Sequence, residues 1–101
     1  MIYETSSRFD RSFKKFSSPI RTAFYKQVAF LLNDIRHPSL RAKKVDESGD
    51  IWQARVNDNV RFHFGIVGDC YRLLDIERHQ ISAVYLLAKL SLQRFGRLRL
   101  M

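Results

Sequence analysis

Apolar and polar side chains alternate with a period of two through residues 51–79, IWQARVNDNVRFHFGIVGDCYRLLDIERH. Trp52, Ala54 and Val56 alternate with Gln53 and Arg55, and Phe62, Phe64 and Ile66 alternate with Arg61 and His63. That pattern predicts antiparallel strands covered on one face. A three-residue Asn57-Asp58-Asn59 loop would pair Val56 with Val60 and set Arg55 directly opposite Arg61, a like-charge placement that normally destabilises a sheet. The next turn can be read with two residues, Gly68-Asp69, or with three, Gly68-Asp69-Cys70, and the two lengths give the third strand opposite facings. The longer loop is expected. It puts Phe62 opposite Ile76, Phe64 opposite Leu74, Arg61 opposite Glu77 and His63 opposite Asp75, whereas the shorter one sets Phe62 against Asp75. Arg55, Arg61, His63, Asp75 and Glu77 then share one face, with His79 of the same parity just past the strand.

Helical periodicity takes over on either side. A short strand at 1–4 opens the chain. Ser6 or Ser7 can then cap a helix whose Phe9, Phe13 and Phe16 form one stripe, with Asp10 placed as in a capping box. Ser17-Ser18-Pro19 stops that helix and starts another, in which Ile20, Phe24, Val28, Leu31 and Ile35 recur at heptad-like spacing up to His37-Pro38. Residues 7–36 therefore read as a helical hairpin. A strand from Leu40 to Val45 and a turn about Gly49 lead into the meander, so that the sheet occupies 40–79. Ile81, Val84, Tyr85, Ala88 and Leu92 suit an amphipathic C-terminal helix over 81–95, ended by Gly96. The expected fold is α+β: the helical hairpin packed on one face of a small, mainly antiparallel, four-stranded twisted sheet, plus a C-terminal helix. The Arg55, Arg61 and His63 face is left open to a ligand.

A chain of 101 residues with 46% hydrophobic content supports a single domain, 1–101, with one core. Its net charge of +8 and pI near 10.2 point to an anionic partner, nucleic acid first. The opening MIYETSSRF lacks a basic segment followed by an apolar core, so no signal peptide is expected. Cys70 is the only cysteine, and His37, His63 and His79 lack the paired spacing of zinc motifs. Neither a metal nor a cofactor is expected. The apolar run 81–92 is interrupted by Lys89 and too short for a bilayer, which leaves a cytoplasmic protein without a membrane partner as the expectation. Beyond Glu77 there is no acid, while Arg78, Lys89, Arg94, Arg97 and Arg99 make the C-terminal end strongly basic.

The order of elements and the local patterns SSRFDRSFKKF, WQARV, NVRFHF and DIERHQISAVY resemble the RelE/ParE superfamily of toxins from toxin-antitoxin pairs, over nearly the whole chain. The resemblance implies one of two activities. The RelE-like branch cuts messenger RNA in the ribosomal A site, whereas the ParE-like branch poisons DNA gyrase and lacks the nuclease residues. On the first branch the basic residue ending the first meander strand falls on Arg55, the phosphate-binding arginine on Arg61, the residue six before the C-terminal tyrosine on His79, and that tyrosine on Tyr85. Gln53 stands where a lysine is found in the family, and Arg55 is a poor general base. The resemblance also implies a cognate antitoxin bound in a hetero-oligomer.

Guanidiniums, imidazoles and carboxylates gathered on one face suit phosphodiester cleavage, in which the ribose 2′-hydroxyl attacks, the phosphorane is steadied and the leaving oxygen is protonated. The same set also describes a solvated face laced with ion pairs. In the chemical reading Arg61, with Arg55 or Lys44 beside it, holds the phosphate. His79 serves as general acid and Glu77, then Asp75, as base. Tyr85 stacks on a base or belongs to the core. Arg41, Lys43, Lys44, His63 and Arg78 are candidate RNA contacts. The expectation is a ribosome-dependent endoribonuclease toxin. The alternatives are a gyrase inhibitor without nuclease activity and an inactive RNA-binding relative.

Overall fold

The computed structural model describes residues 1–46 and 48–78. In chain order they form strand β1 (Ile2–Thr5), helix α1 (Ser7–Phe13), helix α2 (Ser18–Asn33), a short 3-10 helix (Pro38–Leu40), and strands β2 (Lys43–Asp46), β3 (Ile51–Arg55), β4 (Val60–Val67) and β5 (Cys70–Arg78). Of the two candidate caps, Ser6 is the one used. Its Oγ accepts from the Phe9 N–H at 3.0 Å and donates to the Leu74 carbonyl at 2.8 Å, so one hydroxyl both starts α1 and ties it to β5. Ser17 is the N-cap of α2, with Pro19 in the first turn.

The helical region is shorter than the expected 7–36. Helix α2 ends at Asn33 because Asp34 turns extended (φ −162°, ψ 112°) and its Oδ1 accepts from the Arg36 N–H at 2.9 Å, an Asx turn that competes with the helix. Leu40, expected to begin a strand, instead closes the 3-10 helix and is fully buried. The sheet has five strands in the order β1-β5-β4-β3-β2, not four. It is mixed, since β1 lies parallel to β5 while the other neighbours are antiparallel. The expected C-terminal helix, 81–95, lies outside the described residues.

The register carries the expected facing, but by a different route. Arg55 pairs with Arg61, Arg61 with Glu77, Phe62 with Ile76 and His63 with Asp75. The turn, however, is the two-residue Gly68-Asp69, with Val67 paired to Cys70 and Gly68 at φ +61°, which glycine adopts without strain. A bulge between the His63 and Phe64 pairs absorbs the difference: Phe64 pairs with Leu73, not Leu74. Parity therefore inverts within β5, and Tyr71, Leu73 and Ile76 are all buried although their numbers do not alternate.

Phe9, Phe24, Phe62, Phe64, Leu31, Leu40, Leu73 and Ile76 fill the core, each at most 1% exposed. Full burial of such side chains stabilises by about 1.5–3 kcal/mol apiece. Phe24 meets Phe62 edge-on with centroids 5.4 Å apart, joining α2 to β4, and Phe9 packs on Phe24 at 5.3 Å. The helices thus cover the Phe62 face of the sheet and leave the Arg61 face to other uses. No described helix is long and apolar enough to cross a membrane.

Candidate functional site

The site is organised by the loop 57–59. Asn57 Oδ1 accepts from the Asn59 N–H at 2.8 Å and from the Val60 N–H at 2.9 Å, while the Val56 N–H donates to the Val60 carbonyl at 2.9 Å. This Asx geometry fixes how β3 hands over to β4. Arg61 then folds back along the loop, its Nη1 donating to the Asn57 carbonyl and, at 3.2 Å, to the Val60 carbonyl. Among the described residues its contacts run through Nη1, which leaves Nε–H and Nη2–H as donors for a ligand.

Arg55 Nη2 reaches Asp58 Oδ1 at 3.1 Å. The Asp58 side chain is 85% exposed, and a pair of that kind contributes roughly 0–1 kcal/mol and exchanges readily for another anion. Arg41 comes from the other side. It caps the 3-10 helix in the left-handed conformation (φ 45°, ψ 43°), donating its backbone N–H to the Pro38 carbonyl at 3.3 Å. Burial and the positive charges of Arg55 and Arg41 draw the Arg61 guanidinium below its ordinary pKa, against an opposing pull from Asp58. Arginine stays charged under such shifts. Arg55 and Arg41 thus both add positive charge at Arg61, a field suited to a phosphate.

Beside them, His63 Nε2–H donates to Gln53 Oε1 at 3.2 Å across the β3–β4 pair, and Lys43 stands opposite Gln53 on the next strand. Glu77, half-buried, is paired in register with Arg61. Asp75 is engaged from the side of α1: it accepts from Ser12 Oγ at 3.4 Å and the Ile76 N–H at 2.9 Å, with Arg8 Nε at 3.7 Å. Lys44 and Arg78 are placed apart from the cluster. Lys44 Nζ pairs with Asp50 Oδ1 at 2.9 Å and lies over Trp52, while the Arg78 guanidinium lies over Phe16 at 5.6 Å. His79 and Tyr85 lie outside the described residues.

The periodicity reading passed over Gln27. Its side chain is buried, 4% exposed, with Nε2 donating to the Arg55 carbonyl at 2.8 Å and the Ser39 carbonyl at 3.1 Å and Oε1 accepting from Ser39 Oγ at 3.0 Å. The signal was present: a carboxamide between Phe24, Val28 and Leu31 on an apolar stripe must find partners inside the protein. Among the described residues no group of three or more His, Cys, Asp or Glu is placed to hold a metal ion.

Compared with known proteins, the chain matches no family model and no curated sequence. Solved structures do match. The isolated E. coli RelE toxin superposes with a TM-score of 0.64 at 15% identity, covering 90% of this chain and 97% of that one. RelE from the RelE-RelB complex of Pyrococcus horikoshii OT3 gives 0.66 at 12% identity, covering 80% and 96%. A YoeB/ParE toxin from Agrobacterium tumefaciens gives 0.67 at 8% identity, covering 79% and 100%. The chain has the RelE/ParE toxin fold. Several structures that share this fold are toxin-antitoxin complexes, among them RelBE of E. coli and YoeB-YefM of Staphylococcus aureus.

Proposed function

We propose that this protein is the toxin of a toxin-antitoxin pair and an endoribonuclease that cuts messenger RNA in the ribosomal A site. The observation that carries the reading is the placement of Arg55 and Arg61 opposite each other beside the loop 57–59, with Arg41 adding its charge, Arg55 paired to the exposed Asp58, and Arg61 presenting guanidinium donors not engaged among the described residues. Such a site binds a scissile phosphate and stabilises the extra charge of the phosphorane. In the proposed reaction the 2′-hydroxyl oxygen bonds to phosphorus while the bond to the 5′ oxygen breaks. Glu77 takes the 2′-hydroxyl proton and His79 gives one to the departing oxygen, leaving a 2′,3′-cyclic phosphate and a 5′-hydroxyl. Tyr85 stacks on a base, Lys43 extends the cationic row along the RNA, and His63 offers it a hydrogen-bonding contact. A cognate antitoxin, carrying acidic segments against the +8 charge, neutralises the toxin in a hetero-oligomer in the cytoplasm. The complexes of similar fold with RelB and YefM support that partner class.

The test is translation in a cell-free bacterial extract with purified protein, mapping 5′ ends on the message for wild type, Arg61→Ala and His79→Ala. Cuts at A-site codons that fade in both variants support the proposal. An intact message with normal translation rejects it and directs attention to inhibition of gyrase supercoiling.

A further inference from the structure

The segments that carry Arg41 and Arg55 run into neighbouring strands, where Lys43 pairs with Gln53, and beyond the end of that ladder one buried side chain bridges them. Arg55 ends β3, where its pairing with Arg61 holds it against β4 on one side. Arg41 sits just after the 3-10 helix, in a left-handed conformation that a non-glycine residue holds only when its surroundings impose it. Gln27 donates from the same nitrogen to the Arg55 carbonyl and to the Ser39 carbonyl, at 2.8 and 3.1 Å, and Ser39 Oγ returns a bond to Oε1 at 3.0 Å. The far side of the turn is held as well, since the Ser39 N–H donates to His37 Nδ1 at 3.2 Å and the His37 ring stacks on Phe30 with centroids 3.8 Å apart.

We infer that Gln27 is a positioning residue for the arginine site: it fixes the separation of the Arg41 and Arg55 segments so that both cations act on the same anion as Arg61. The inference rests on the reading of that site as a phosphate site. Three features single out the carboxamide. Arg41 and Arg55 both oppose the charge of Arg61, and the β2–β3 pairing reaches only to Lys43 and Gln53, so the carboxamide supplies the tie beyond the end of the ladder. A glutamine ties them without charge, whereas a carboxylate there would cancel part of the field that attracts the phosphate. The position also lies on the apolar stripe of α2, where a leucine would pack and would leave both carbonyls without their donor.

The experiment follows binding of a short fluorescein-labelled single-stranded RNA by anisotropy over a salt series, using the full chain as wild type, Gln27→Leu, Ser39→Ala, Arg55→Ala and Arg61→Ala. Urea denaturation gives the folded fraction of each. The expected result for Gln27→Leu is affinity weakened about tenfold in the folded protein. The slope of log K against log salt should be shallower by about 0.7, the share of one phosphate contact on a single strand. Ser39→Ala, which frees the carboxamide to turn but leaves the apolar packing alone, moves both quantities in the same direction by less. A lowered urea midpoint with wild-type affinity and slope in the folded fraction overturns the inference and leaves Gln27 a purely structural bridge. Should Gln27→Leu fail to fold, Ser39→Ala decides, and unchanged affinity and slope in it overturn the inference. If Arg55→Ala and Arg61→Ala bind RNA as wild type does, the phosphate site itself is refuted, and the role of Gln27 with it.

Discussion

Arg55 and Arg61 stand opposite each other across the β3–β4 hairpin and turn to different partners, Arg55 to the Asp58 carboxylate at 3.1 Å and Arg61 to the carbonyls of Asn57 and Val60. Like charges directly opposite cost up to about 1 kcal/mol relative to neutral pairs. The loop makes the arrangement tolerable by supplying acceptors on both sides. It also holds both cations at one end of the sheet, where their combined field is strongest.

Removing Arg61 should therefore separate activity from stability. For Arg61→Ala the expected loss of message cleavage in the cell-free assay is on the order of a hundredfold or more. Its urea-derived stability should stay within about 1 kcal/mol of wild type, because relief of repulsion offsets the lost contacts with the carbonyls. Arg61→Lys keeps the charge but not the planar fork, and should recover only part of the activity.

Arg41 offers a change whose two effects have opposite signs. At φ 45° a non-glycine residue bears a strain of about 1 kcal/mol that glycine escapes. Arg41→Gly is expected to raise the urea midpoint, or leave it unchanged once glycine's chain entropy is counted, while weakening binding of single-stranded RNA severalfold. A variant that loses stability and keeps its RNA affinity would contradict both halves.

Asp75 is predicted to serve the fold and not the chemistry. It receives Ser12 Oγ and the Arg8 guanidinium from α1 and the Ile76 N–H from β5 itself. Asp75→Ala should lower stability by about 1–2 kcal/mol and leave the pattern of message cuts in place. Loss of cutting in folded Asp75→Ala protein would instead mark it as the base.

Alkaline stability should report on Tyr71. Burial first, and the negative charge of Asp34 second, raise the pKa of its hydroxyl. A raised value in the folded state means that the stabilisation is fully present below the unfolded tyrosine value of about 10 and is lost as pH climbs through the higher folded value. Urea midpoints of wild type should fall more steeply above about pH 10 than those of Tyr71→Phe. Parallel curves for the two proteins would exclude Tyr71 as the source.

Periodicity alone located most of the sheet, because residues whose one face is buried must alternate. The pairings His63 with Asp75 and Arg61 with Glu77 could be derived from chemical complementarity across strands, and Arg55 with Arg61 from the length of the loop 57–59 in spite of the like charges. What sequence did not disclose was the bulge, since a two-residue turn plus a bulge and a three-residue turn without one give the same facing at the site end. The early stop of α2 was hidden too. Ile35 continues the apolar stripe past Asn33, and only the Asx turn at Asp34 overrides it. In the site, the charged face was legible residue by residue. The departure of Lys44 to Asp50 and of Arg78 to Phe16 was not, because which way a long cation leans depends on neighbours outside its own strand. Gln27 was passed over because a stripe of apolar residues draws attention to its members and not to its exception.

The bulge beside Leu74 also bears on how this fold diverges. One residue gained in the Gly68-Asp69 turn and lost at the bulge would leave the pairings around Arg61 unaltered. Chains descended from a common ancestor can therefore differ in hairpin length, by compensating insertion and deletion, while keeping the same reactive row. Alignments anchored on the turn would misplace that row by a residue, and those anchored on the pairings of Arg61, Phe62 and His63 would not.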